Sequence, residues 1–196
     1  MAKYEAGFIG AGSMGGALAQ AAVKTAGGGR VAVACSTPEH SEEAAARLGC
    51  AAETAETILW ESRFVFLGVK PQMIAGVVKK LAGDIAGSDA IFVSMLAGTS
   101  LERLAELLGA DKKIIRIMPN TPSAIGEGVI FYTCDGVTAE EEAAFLENMA
   151  GAGRLLPLDD HLMDAGSAVA GCGPAFVDLF IEAMADGGVA CGLTRP

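Results

Sequence analysis

The segment Gly10-Ala11-Gly12-Ser13-Met14-Gly15, entered directly from the apolar run Gly7-Phe8-Ile9, constrains the fold of this chain more than any other stretch. Glycines at this spacing let a strand turn sharply into a helix. The first permits the turn, and the second removes the Cβ that would stand between backbone and a pyrophosphate. The third lets helix and strand pack closely, while free N–H groups at the helix start face the anion. An Ala-rich helix is expected from Ala17 to Thr25. A purely structural glycine turn would carry the same signature, so the rest of the chain has to decide between the two.

Composition narrows the class. With 196 residues, 52% of them apolar, the chain can build one good core, or one domain and part of a second, and is neither disordered nor fibrous. A net charge of −10 without a basic cluster speaks against a nucleic-acid surface. The uncharged stretch Ala6–Val23 resembles a membrane span or leader by composition, yet it holds five glycines, Ser13 and Gln20. A phosphate-binding loop accounts for those glycines and a lipid-facing helix does not, so a cytoplasmic protein that avoids membranes is expected. Cys35, Cys50, Cys134, Cys172 and Cys191 are odd in number, widely spaced and form no C-x-x-C pair. His40 and His161 are the only histidines, so reduced thiols and no metal site are expected.

Downstream, strands and helices alternate. Val31–Ala34 reads as a second strand, and Thr37 caps a helix that opens on Pro38 and closes at Gly49. Phe64–Val69 is a continuous apolar run of the kind buried on both faces of a parallel sheet. Ile91–Met95, Ile114–Met118 and Val129–Thr133 repeat the strand signal, and Thr138-Ala139-Glu140-Glu141 is a capping box for a helix over Ala139–Ala150. This order predicts an α/β fold with a doubly wound, mostly parallel sheet. From about Leu162 the chain reads as helical, broken at Gly171-Cys172-Gly173 and restarted by Pro174, with Phe176, Leu179, Phe180, Ala183 and Met184 on one apolar side. A boundary near Asp159 is therefore expected, with a nucleotide-binding domain over residues 1–159 and helices of a second domain over 160–196.

Ligands in such sheets bind outside the carboxyl ends of the strands. At the end of the second strand stand Cys35-Ser36-Thr37, with no acid before Glu39. An acid there would hold a ribose 2′-hydroxyl and repel a 2′-phosphate, so NADP is favoured and NAD remains open. Arg30 lies at the wrong end of that strand to neutralise the phosphate, and Thr37 is also explained as a cap. Val69-Lys70-Pro71, Met95-Leu96-Ala97 and Met118-Pro119-Asn120-Thr121-Pro122 follow the next three strands. Lys70 is a candidate for phosphate or ribose, and Asn120 and Thr121 for the nicotinamide amide or a substrate. No general acid or base stands out, and His40 and His161 read as surface residues. Asp178, Glu182 and Asp186 share one face of the last helix, as a solvated or subunit-facing stripe.

Together these segments resemble the pyrroline-5-carboxylate reductase family. The match is carried by Phe8–Met14, Phe66–Gln72, Val93–Gly98, Arg116–Pro122, Gly171–Phe176 and Phe180–Val189. The resemblance implies a Rossmann-like domain followed by a helical domain that forms homo-oligomers. It implies hydride transfer from NAD(P)H to the ring C=N carbon of 1-pyrroline-5-carboxylate, giving L-proline. Ile9, Gly10, Ala11, Gly12, Ser13 and Met14 would then bind the pyrophosphate, and Ser36 with Thr37 the adenosine ribose region. Gly68, Val69, Lys70, Pro71, Met95, Leu96 and Ala97 would line the nicotinamide side, with Asn120 nearby. The chain departs from the family at the second strand's end, and at Thr54-Ala55 where an asparagine is usual. The family's carboxylate-holding loop is expected beyond Pro196, so a chain that binds nucleotide and reduces the imine poorly or not at all is expected. A different Rossmann reductase, or a non-catalytic NAD(P)-binding fragment, are the alternatives.

Overall fold

In the computed structural model, residues 2–195 are described. In chain order the elements are β1 (Tyr4–Ile9), α1 (Ser13–Ala26), β2 (Val31–Ala34), α2 (Pro38–Leu48), β3 (Ala51–Ala52), α3 (Ala55–Glu61) and β4 (Ser62–Leu67). Then come α4 (Ile74–Lys80), α5 (Ala82–Gly87), β5 (Ile91–Ser94), α6 (Leu101–Leu108), β6 (Ile114–Met118) and β7 (Gly128–Asp135). The last are α7 (Ala139–Met149), β8 (Gly153–Pro157), α8 (Met163–Gly166) and α9 (Gly173–Ala190). Eight strands form one sheet in the order β3-β2-β1-β4-β5-β6-β7-β8. The chain runs outward one way from β1 to β3, and from β4 runs outward the other way. The order therefore reverses between β1 and β4, which pair in parallel from Tyr4↔Ser62 to Ile9↔Leu67. A doubly wound sheet opens its ligand crevice at such a switch point.

Every neighbouring pair is parallel except β6 and β7. The reason is connection length. Parallel neighbours need a crossover of about a dozen residues or more, whereas β6 and β7 are joined by a short link containing the 3-10 turn Thr121–Ile125. Two elements have no counterpart in the periodicity. β3 is only Ala51-Ala52, and β8 reads Gly-Arg-Leu-Leu-Pro with no alternation. Several boundaries also move: β5 ends at Ser94 and β7 runs from Gly128 to Asp135. α1 begins at Ser13 rather than Ala17, and β4 ends at Leu67 because Gly68 turns away and Pro71 opens a 3-10 turn. The caps stand as expected: Thr37 accepts from the His40 N–H, Gly49 is left-handed, and Thr138 with Glu141 forms the capping box.

The sheet is packed on both faces. On one side α1, α2 and α7 cover Phe8, Phe66 and Ile115; on the other, α3 to α6 cover Ile9, Val65 and Phe92. Phe8 and Phe66 stack across the switch-point strands with ring centroids 4.3 Å apart, and Phe145 of α7 leans against Phe66 at 6.4 Å. This aromatic contact fixes the spacing of β1 and β4 where the crevice opens. β6 contributes a different contact. Arg116 is 3% exposed and reaches Asp160 at 2.7 Å and Asp164 at 3.3 Å, tying the start of the C-terminal helices to the sheet. The break expected at Gly171 is instead a π-helical turn, Ser167–Gly171, which carries α8 toward α9.

Replacing Phe66 by Ala removes a fully buried ring from the middle of this stack. The expected loss is about 3–5 kcal/mol, measured by urea unfolding followed by circular dichroism. A loss below about 1 kcal/mol would contradict this packing.

Candidate active site

Three backbones without Cβ atoms meet at the switch point. Gly10 leaves β1 with φ +100°, a conformation that glycine adopts without strain, and its N–H donates to the Ala34 carbonyl at 2.7 Å. Gly68 leaves β4 with its N–H on the Ile9 carbonyl at 2.9 Å. A Cβ on Gly68 or on Gly15 would collide with the carbonyl oxygen of Gly10. Beside this close contact the face of Gly12 is open, with no atom within 4 Å of where a Cβ would stand. α1 closes its first hydrogen bond from the Gly16 N–H to the Gly12 carbonyl at 2.7 Å. The N–H groups of Ser13, Met14 and Gly15 therefore have no acceptor within the helix and point outward from its positive end. An anion such as a pyrophosphate fits this open, donor-lined corner.

A cleft of about 440 Å³ runs from this corner between the ends of β1, β2 and β4. Gly10, Ala11 and Gly12 form its floor, Ser36 its near end, Val69 and Lys70 one wall, and α2 the other. A second cleft of about 380 Å³ shares Cys35 and Ser36 with the first and extends past Thr37, Thr54 and Lys80. Glu53 borders the second cleft, but it accepts from the Tyr4 hydroxyl at 2.5 Å and from Lys3 at 3.1 Å. Those two donors, Tyr4 first, hold its carboxyl below the usual range. Its charge is thus already matched and does not stand free against a ribose. Arg30 lies at the opposite end of the sheet, where it pairs with Glu5 at 3.1 Å.

Several expected residues occupy other roles than contact through the side chain. Ile9 and Leu96 are buried in the core, so only their backbones border the sheet's carboxyl edge. Thr37 accepts the His40 N–H, as a cap does. Ser13, Met14 and Pro71 stand next to the first cleft but do not line it, and Met95, Ala97 and Asn120 lie further along the same edge, after β5 and β6. Asn120 is engaged in the fold itself. Its Oδ1 accepts the Val129 N–H at 2.9 Å and its Nδ2 donates to the Ala170 carbonyl at 3.0 Å. With 7% exposure and both ends engaged, it anchors the π-helical turn to the sheet rather than offering a free amide. Thr121, next to it, is exposed.

His40 and Arg47 were not expected at the site, and both line the first cleft. Their signal was present in the sequence as spacing: His40, Glu43, Ala44 and Arg47 fall at i, i+3, i+4 and i+7, one face of α2. Which face points at the crevice depends on how α2 packs on β2, and that is a tertiary fact.

α9 presents a contrast. None of its residues is buried, and Phe176, Phe180 and Met184 are 68%, 66% and 64% exposed. Among the described residues, Asp160–Ala190 is the one helical stretch long and apolar enough to cross a membrane. Among the described residues no cluster of three His, Cys, Asp or Glu side chains is placed to hold a metal.

Known proteins place this geometry. Residues 5–98 match the family described as NADP oxidoreductase, coenzyme F420-dependent, and residues 160–196 match that of pyrroline-5-carboxylate reductase dimerisation. A pyrroline-5-carboxylate reductase of Pisum sativum is 36% identical over 197 residues, spanning 98% of this chain and 71% of the relative. The NADP-bound pyrroline carboxylate reductase of Plasmodium falciparum superposes with a TM-score of 0.85 at 26% identity, over 100% of this chain and 72% of that one. The 1-pyrroline-5-carboxylate reductase of Streptococcus pyogenes gives 0.83 at 30% identity, over 96% and 71%.

Gly68→Ala tests the three-backbone contact. It is expected to weaken NADPH binding at least tenfold in a fluorescence titration, because the new methyl displaces Gly10 and the corner beside Gly12. Unchanged affinity would contradict the placement of the pyrophosphate.

Proposed function

This chain belongs to the pyrroline-5-carboxylate reductase family and is an NADP-dependent oxidoreductase, and we propose the following roles for its residues in reducing 1-pyrroline-5-carboxylate to L-proline. Ala11, Gly12, Ser13 and Met14 hold the pyrophosphate on backbone N–H groups, and Gly10, whose own N–H is taken by the Ala34 carbonyl, makes the turn that exposes them. Ser36 meets the adenosine ribose, and Val69 and Lys70 flank the dinucleotide as it crosses β4. Neighbouring strands stand about 4.8 Å apart, so β4, β5 and β6 carry the chain's strand ends progressively away from the pyrophosphate corner. An extended dinucleotide laid along that edge brings its nicotinamide toward Met95 and Ala97, with Thr121 on the substrate side.

When bound, NADPH supplies the hydride. The protonated ring imine is already electrophilic at carbon, so the protein's task is to hold two flat rings face to face and keep water out. That task needs no dyad of acid and base on the reacting bond. Asn120 acts here as a positioning residue, since its two hydrogen bonds set the π-helical turn against the end of β6. The observation that carries the reading is the open Gly12 corner at the switch point, in a chain of which 98% aligns with 71% of such a reductase.

We place the boundary between a nucleotide-binding unit, residues 1–159, and a dimerising unit, residues 160–196. Its support is the Arg116–Asp160 pair at the junction and the bare apolar face of α9. That face is the surface by which copies of the chain associate, and it explains a long apolar helix without a membrane. Free cysteines throughout the described residues and a net charge of −10 accord with a cytoplasmic enzyme that binds neither membrane nor nucleic acid.

Incubation with NADPH and pyrroline-5-carboxylate, of this chain and of a version extended by the family's carboxylate-holding loop, is expected to yield proline in proportion to the NADPH consumed, weakly from the first and fully from the second, read by mass spectrometry and absorbance. No proline above the protein-free control from either would overturn the assignment. Phe180→Glu buries a charge in the proposed subunit face and is expected to shift the chain to monomer in light scattering while NADPH binding persists. An unchanged oligomer would exclude α9 as the contact.

A further inference from the structure

We infer that His40 is the side chain by which this chain recognises the 2′-phosphate of NADPH, with Ser36 as its hydroxyl partner. The inference rests on the cofactor site proposed above and goes beyond it by naming the group that separates NADPH from NADH. A site selective for the 2′-phosphate needs a donor to that phosphate at the end of the second strand. No arginine stands in Cys35-Ser36-Thr37, the link that leaves β2, and Arg30 is held by Glu5 at the opposite end of that strand.

The structure supplies the donor from α2 instead. His40 stands one turn into the helix, and its Nδ1 is 3.3 Å from the Ser36 Oγ, at the end of the cleft nearest β2. With the Ser36 hydroxyl donating to Nδ1, the ring carries its proton on Nε2 and offers it to a phosphate oxygen. A hydrogen bond to a charged acceptor is shorter and stronger than one between neutral groups.

The charged groups of the cleft are placed differently. Arg47 lies seven residues further along α2, about 10 Å by helix rise, and its Nη2 approaches Gly16 on α1. It therefore serves the other end of the cleft. Lys70 comes from the β4 side, opposite His40. Glu43, one turn after His40, is the acid that lines this cleft. His40 is thus the ring donor that shares one spot with a hydroxyl at the end of β2. Its role explains why an acid is missing from that strand end and why no arginine replaces it.

The test is direct binding, measured by NADPH and NADH fluorescence titration of the whole chain, with 2′,5′-ADP and 5′-AMP as competitors. His40→Ala is expected to weaken NADPH and 2′,5′-ADP about tenfold, in line with the loss of a hydrogen bond to a charged group, while NADH and 5′-AMP change less than twofold. His40→Lys, which puts a phosphate-binding donor back at the same place on the helix, is expected to recover most of the NADPH affinity. Equal weakening of NADPH and NADH in His40→Ala would mean a structural role and overturn the inference. So would an NADPH affinity that does not change. If the unaltered chain binds neither dinucleotide, the cofactor site itself is wrong and the inference falls with it.

Discussion

The constraint that sets the site in this molecule is the approach of Gly10, Gly15 and Gly68, three backbones that touch where side chains would keep them apart. It joins the two halves of the sheet at β1 and β4 and aims the start of α1 across the join. The Phe8–Phe66 stack beneath it holds the same two strands at a fixed separation. Every later element is arranged relative to that corner. β2 brings Ser36 to one side, the β4 end brings Val69 and Lys70 to the other, and β5 and β6 extend the edge toward the substrate end.

A site built this way acts by position. The reaction asks for a hydride donor held against an electrophilic C=N bond, and the chain offers donor groups for phosphates, small residues beside a flat ring and a rigid turn after β6. Polar residues near the site are occupied in construction. Asn120 bonds Val129 and Ala170, Arg116 bonds Asp160 and Asp164, and Glu53 bonds Tyr4 and Lys3. Two of these, Asn120 and Arg116, fasten the C-terminal helices to the sheet. The exposed apolar surface of α9 is therefore delivered in a defined direction from a nucleotide-binding body, and cofactor binding and subunit contact share one scaffold.

Local chemistry made most of the architecture legible in the sequence. The glycine turn, the Thr37 and Thr138 caps, the Gly49 stop and the continuous apolar runs each report a backbone event within a few residues of themselves. What stayed hidden depends on contacts far along the chain. β3 is two alanines whose pairing to β2 carries no pattern, and β8 gains its place from β7 rather than from its own composition. The antiparallel turn from β6 to β7 follows from a link too short for a crossover. At the site, backbone contributions were readable because glycine announces them. Side-chain contributions were not: the Ala170 carbonyl that engages Asn120 lies 50 residues along the chain, and His40, exposed as its sequence suggests, borders the cleft only because of how α2 packs on β2.

The central claim is that the edge running from Gly12 toward Thr121 holds NADPH so that its hydride passes directly to the ring carbon. Transfer from NADPH deuterated at the reactive C4 position tests this most directly, with the product analysed by mass spectrometry. Proline carrying one deuterium at the ring carbon of the former C=N bond is the predicted result. Proline formed without that deuterium would show that the hydride does not come directly from the cofactor, and would contradict the account.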